Sequence, residues 1–138
     1  MEIEIISQLL LATFLGALVG LEREYKKKGA GLQTYSLVAL GACLLSVISF
    51  ELAESGISSD PSGVIQAVAI GIGFIGAGVI FRQSSGILGL TTAAGLWATA
   101  AIGIAVGTGL YFLAIFTTFL VLLVLSGFGL LEEKIFKK

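Results

Sequence analysis

The feature that most constrains this chain is a succession of apolar runs, each about as long as a membrane crossing. From about Ile3 to Leu21, from Leu32 to Phe50 and from Val64 to Phe81 the sequence supplies roughly the 18 to 20 apolar residues that cross a hydrocarbon core of about 30 Å. The next stretch, Ile87 to Leu131, is too long for one crossing. It breaks at Gly107-Thr108-Gly109, which suits a tight turn between antiparallel helices and predicts spans at 90–107 and 110–131. A mean hydropathy of +1.05 agrees that water is not the main solvent. The expected fold is an all-α integral membrane protein, a bundle of about five transmembrane helices forming one domain over residues 1–138.

The basic residues set the expected orientation. Arg23, Lys26, Lys27 and Lys28 lie between spans one and two, Arg82 between three and four, and Lys134, Lys137 and Lys138 after five. With five spans all of them fall on one side, whereas Glu2, Glu4, Glu51, Glu54 and Asp60 fall on the other. The positive-inside rule then places the N-terminus outside and the C-terminus in the cytoplasm. A four- or six-span arrangement would put the C-terminal lysines opposite the other basic residues. The first apolar run lacks a basic n-region and a small-residue cleavage site, so it is read as a retained helix.

Of 19 glycines, many lie inside the spans. Lipid gives helices no hydrophobic reason to associate, so contact depends on close approach of backbones, for which small residues four apart are suited. Gly16 with Gly20 and Gly103 with Gly107 fit that spacing, and Gly71, Gly73, Gly76 and Gly78 are read as further packing positions. Gly71-Ile72-Gly73-Phe74-Ile75-Gly76 also matches a dinucleotide-binding pattern, which requires a preceding strand and an acidic residue about 20 positions later. No acidic residue occurs between Asp60 and Glu132, and the match is assigned to a membrane helix.

The polar residues carry few chemical options. Asp60-Pro61 suits a helix start, the acidic side chain as cap and the proline at the first turn. An alternative is an outward acidic rim of Asp60, Glu51 and Glu54 attracting a divalent cation such as magnesium, which is held by one or two carboxylates while keeping its waters. Glu22-Arg23-Glu24 reads either as an interfacial run with a snorkelling arginine or as an ion pair among helix ends. Lys26-Lys27-Lys28 reads as a topology anchor attracted to anionic lipid, with no nucleic-acid role. The segment from Arg82 to Thr92, with the apolar Gly86-Ile87-Leu88-Gly89-Leu90, is expected to tuck back against the bundle, and spans three and four are where a binding site is sought. Gln66, Thr99 and Thr117 are the modest polar candidates within the spans. No ionisable residue falls near the middle of a span, which argues against a proton or ion relay. Without histidine or a nucleophile paired with a base, no enzyme activity and no cofactor are expected. Cys43, alone in an apolar run, reads as a small core residue.

Taken together, Gly16-Ala17-Leu18-Val19-Gly20-Leu21-Glu22-Arg23-Glu24, Ala30-Gly31-Leu32-x-Thr34, Asp60-Pro61-Ser62, Gly71 through Ile80, and Gly89-Leu90-Thr91-Thr92-Ala93-Ala94 with Trp97 resemble the MgtC/SapB family of bacterial membrane proteins. The resemblance runs in order from about Leu9 to Gly109. It implies an inner-membrane protein tied to adaptation to low magnesium and, in pathogens, to survival inside macrophages. It further implies restraint of the proton-translocating ATP synthase rather than magnesium carriage. The functional polar candidates of the chain are Glu22, Arg23, Glu24, Arg82, Thr91 and Thr92. Three positions depart from the pattern: Gln33 and Tyr35 stand where the family often has Arg and His, and Gly63 where Arg commonly follows Asp-Pro-Ser. Longer members carry a soluble C-terminal domain. The leading expectation is a homo-oligomeric regulator that contacts another membrane complex. A small oligomeric magnesium transporter or channel, and a structural scaffold, are the rivals.

Overall fold

The computed structural model describes residues 2–57 and 60–136. Lys137 and Lys138, counted above with the basic side, lie outside the described residues. The chain forms α1 (Glu2–Tyr25), α2 (Leu32–Glu54), α3 (Ser62–Gly78), a hairpin of β1 (Phe81–Gln83) and β2 (Gly86–Leu88), and α4 (Leu90–Gly107). After α4 come α5 (Tyr111–Leu122), a π-helical stretch (Leu123–Phe128) and α6 (Gly129–Phe136). Four segments are long and apolar enough to cross a membrane: Glu2–Tyr25, Leu32–Glu54, Leu90–Gly107 and the continuous Tyr111–Ile135. With 17 residues, α3 spans about 26 Å at 1.5 Å per residue, slightly less than a hydrocarbon core of about 30 Å.

Contacts between helices fix their directions. Gly20 lies against Leu32, and Gly16 against Tyr35 and Ala39, so α1 and α2 are antiparallel. Gly103 meets Ala39 and Gly107 meets Cys43, which makes α4 run with α2. Gly76 faces Ala93, setting α3 against α4, and Lys26 reaches the Leu125 carbonyl of the π-helical stretch, so the end of α1 lies beside the later half of the last span. The result is an up-and-down bundle with α2 and α4 at its centre. Arg23, Lys26, Lys27, Lys28, Arg82 and Lys134 gather at one end, and Glu2, Glu4, Glu51, Glu54 and Asp60 at the other.

The core is made by small residues in close register. Ala12, Val19, Tyr35, Ala39, Cys43, Leu96, Thr99, Val106 and Ala114 are fully buried. A Cβ on Gly16 would stand 2.6 Å from the Tyr35 carbonyl oxygen, and one on Gly107 would stand 2.6 Å from that of Cys43. Gly103 would run into the Ala39 carbonyl in the same way. These glycines let helix backbones touch, as packing in lipid demands. The outward surface is apolar, with Phe14, Leu37, Phe74, Trp97, Phe112 and Phe119 exposed, which is the pattern of a bundle solvated by lipid.

The third span departs from expectation at both edges. Its helix starts at Ser62, because the Asp60 carboxylate takes the Ser62 backbone N–H at 2.9 Å and Pro61 occupies the turn before the helix. It stops at Gly78 rather than continuing to Phe81. Val79-Ile80-Phe81 are β-branched or aromatic, and Ser84-Ser85-Gly86 supplies a turn, so the chain pairs Phe81 with Leu88 and Arg82 with Ile87 in a short hairpin. The hairpin stands exposed instead of tucking against the bundle. Its exit is fixed at Gly89, where φ is +88° and a Cβ would overlap the Val79 carbonyl, so only glycine fits.

The glycine-rich pattern of residues 71–76 lies wholly inside α3, with no strand before it. Gly76 is in ordinary contact with Ala93, but Gly71, Gly73 and Gly78 have no neighbour within 4 Å. Within the chain these three are not packing positions. The 17-residue α3 leans mainly on α4, touches α2 at its start, and leaves much of its surface open.

Candidate functional site

The most concentrated polar chemistry lies at the basic end, where α1 stops and the last span leaves the bundle. Arg23, only 2% exposed, directs its Nε to Glu22 Oε2 at 2.5 Å. The other oxygen of Glu22 accepts Lys26 Nζ at 2.8 Å and the Ser126 hydroxyl at 3.1 Å. Lys26 Nζ also donates to the Leu125 carbonyl at 2.8 Å, inside the π-helical stretch. One carboxylate thus joins the end of α1 to a segment about a hundred residues later in sequence. π-helical turns within a longer helix recur at functional positions, and this one presents the Leu125 carbonyl and Ser126 hydroxyl to α1.

Glu24 has a different task. The N-terminus of α2 begins at Gly31, which has no side chain with which to cap it. Glu24 Oε2 accepts the Leu32 N–H at 3.2 Å, so α1 supplies the cap for α2. Gly31 lets the Glu24 carboxylate come this close, since a Cβ there would push that side chain away from the Leu32 N–H. The third connection is Tyr35, fully buried, whose hydroxyl donates to the Thr92 carbonyl at 3.1 Å. Gly95 leaves the slot for it, because a Cβ at that position would stand 2.7 Å from the tyrosine oxygen. Among the described residues every buried side-chain nitrogen and oxygen has a partner, as a polar network in a low-dielectric interior requires.

The residues singled out from sequence therefore divide. Glu22 and Arg23 come together, Glu24 lies beside them as a cap, and Thr92 is joined through its backbone. Thr91 is exposed in the first turn of α4, and Arg82 is exposed on the hairpin, apart from the cluster. Arg23 is not a snorkelling side chain but the interior partner of Glu22. Sequence reasoning missed Lys26 and Ser126 as partners of Glu22. In the sequence Tyr35 stands out only as a departure from a family pattern. A serine in the apolar run before Gly127 was the visible signal for Ser126.

The acidic end is looser. Asp60 Oδ1 accepts both the Ser62 N–H and the Ser62 hydroxyl, at 2.9 and 2.6 Å, and these bonds hold its carboxyl below the usual range. Glu51 and Glu54, with Glu4 and Gln8, line a separate cleft of about 260 Å³ between the ends of α1, α2 and α4. Gln8 Nε2 closes its floor by donating to the Val106 carbonyl at 3.3 Å. Among the described residues no three acidic or thiol side chains converge on one point as a metal site would need.

With this geometry established, comparison with known proteins becomes decisive. A model of the MgtC family matches residues 9–134. The chain belongs to the MgtC family. It is 40% identical over 143 residues to a protein of Escherichia coli K12 named "Putative magnesium transporter YhiD", covering 100% of this chain and 66% of that one. Protein MgtC of Salmonella typhimurium LT2 is 44% identical over 118 residues, covering 85% of this chain and 49% of its own length. Protein SapB of Bacillus subtilis 168 is 40% identical over 114 residues, covering 78% and 49%. The chain thus spans about half to two-thirds of the length of these relatives. No solved structure matches it. Family and apolar helices together make this a multi-pass membrane protein of the bacterial MgtC family.

Proposed function

We propose that this protein acts in the bacterial inner membrane as a magnesium-linked regulator, working through contact with another membrane complex such as the proton-translocating ATP synthase. In this reading its basic end faces the cytoplasm, with the N-terminus outside, as the distribution of lysine and arginine favours. It is not an enzyme. Homo-oligomers form through the open surface of α3 at Gly78, which has no neighbour in the chain.

The observation that carries the reading is how the polar groups are used. The buried hydroxyls of Ser46, Thr99 and Thr118 each donate to the carbonyl four residues earlier in their own helix, at 2.8 Å. None is turned toward a shared pathway. The ion-paired groups are gathered at the basic end, where Glu22 joins the exit of α1 to the last span. That arrangement suits a surface whose shape depends on the C-terminal segment, and it favours regulation over ion passage. The rival transporter reading draws on the name given to YhiD.

The test is ATP-driven proton pumping in inverted membrane vesicles from cells grown at low magnesium. Vesicles containing the protein are expected to pump more slowly than vesicles lacking it. Glu22→Gln, inserted at equal level, is expected to relieve the restraint. Equal pumping with and without the protein would refute the proposal.

A further inference from the structure

An apolar groove of about 550 Å³ runs between α2 and α3, floored by α4. Thr34, Gly41 and Leu45 line it from α2, and Val64, Gly71 and Ile75 from α3. From the geometry we infer that this groove holds one acyl chain of an anionic phospholipid, with the headgroup at the basic end of the bundle.

Length selects the occupant. From Thr34 to Leu45 along α2, and from Ile75 back to Val64 along α3, the groove extends about 16 Å at 1.5 Å per residue. That is about half of a 30 Å hydrocarbon core, the depth of one leaflet, whereas a docked transmembrane helix would need the full thickness. The Ser49 hydroxyl donates to the Pro61 carbonyl at 3.2 Å, which fixes the start of α3 well inside the end of α2. The groove is therefore displaced toward the end where α2 begins. At that end Lys27 and Lys28 precede α2 and Arg82 follows α3, all exposed. Among the described residues the ion pairs are those of Glu22 with Arg23 and Lys26, which leaves these three cations available to an anionic headgroup. The acidic end, carrying Glu51, Glu54 and Asp60, would repel the same headgroup.

Gly71 and Gly41 make the groove testable without breaking the fold, since neither has a neighbour within 4 Å. Purified, delipidated protein is examined by native mass spectrometry with added phosphatidylglycerol or phosphatidylcholine. Wild type is expected to retain phosphatidylglycerol in preference to phosphatidylcholine, and Gly71→Phe to lower that retention roughly tenfold by filling the groove. Gly73→Phe, on the same helix but outside the groove, is expected to bind as wild type does. Replacing Lys27, Lys28 and Arg82 together by Gln is expected to abolish the headgroup preference while leaving chain binding in place. Equal retention of the two lipids by wild type, or unchanged phosphatidylglycerol retention in Gly71→Phe, would overturn the inference. If Gly71→Phe instead dissociates an oligomer with lipid retention intact, the occupant is a second copy and the inference also fails.

Discussion

The α1–α2–α4 core and α3 use the same residue type for opposite ends. In the core, Gly16, Gly20, Gly103 and Gly107 are placed where a side chain would strike a neighbouring backbone. On α3, a Cβ at Gly71, Gly73 or Gly78 would meet nothing within 4 Å. The core helices are long, closely packed and tied at the basic end by the Glu22 and Tyr35 connections. By contrast α3 is short, leans on α4 and borders an open groove. Glycine abundance in a membrane helix thus marks close approach only where a partner is present, and elsewhere it marks a surface left free for lipid or another protein.

That contrast can be broken or sharpened by substitution, with stability followed by circular dichroism during denaturation in detergent. The largest effect is expected from Glu22→Ala, which strands Arg23 without its buried partner and should cost about 3–5 kcal/mol. Gly103→Leu should follow, at about 3 kcal/mol, because the Ala39 carbonyl cannot move without displacing α2. Tyr35→Phe keeps the ring and removes one hydrogen bond to Thr92, so a loss of about 1 kcal/mol is expected. Gly73→Leu, the counterpart of Gly103→Leu on the open helix, should leave stability unchanged or raise it by up to about 1 kcal/mol through helix propensity. A large loss at Gly73 would erase the distinction between the two regions.

The smallest effect concerns Asp60. Its carboxyl is held below the ordinary range by Ser62, so its contribution is present at neutral pH and is lost as the pH falls through the folded-state value. Acidification should fray the first turn of α3, seen as a slight loss of helicity, and Asp60→Ala should show no such transition.

Much of the architecture was legible in the apolar runs. The first, second and fourth spans were readable because length and hydropathy alone define them, and the break at Gly107-Thr108-Gly109 is realised with Gly109 at φ +78°. The end of α3 was not, since Val79-Ile80-Phe81 fits a membrane helix as well as a strand and only the pairing with Gly86–Leu88 decides between them. Glycine spacing could not separate partnered from open positions, because partners are a tertiary property. At the basic end Glu22-Arg23-Glu24 is conspicuous in sequence, while about a hundred residues away Ser126 shows only as a serine in an apolar run and the Leu125 carbonyl carries no local sign of its role. Tyr35 was hidden for a related reason: its partner is a backbone carbonyl, and its slot depends on Gly95 of another helix.

On the proposed function the close-packed core is sealed to ions and the protein acts through its surface. The most direct test is magnesium flux into proteoliposomes carrying the purified protein, with its helical content and monodispersity verified before and after reconstitution. The account predicts uptake no greater than in empty vesicles, at neutral pH and with an imposed magnesium gradient. Uptake that exceeds empty vesicles and is reduced by Arg82→Ala or by filling the α2–α3 groove would contradict it and identify that region as a pathway.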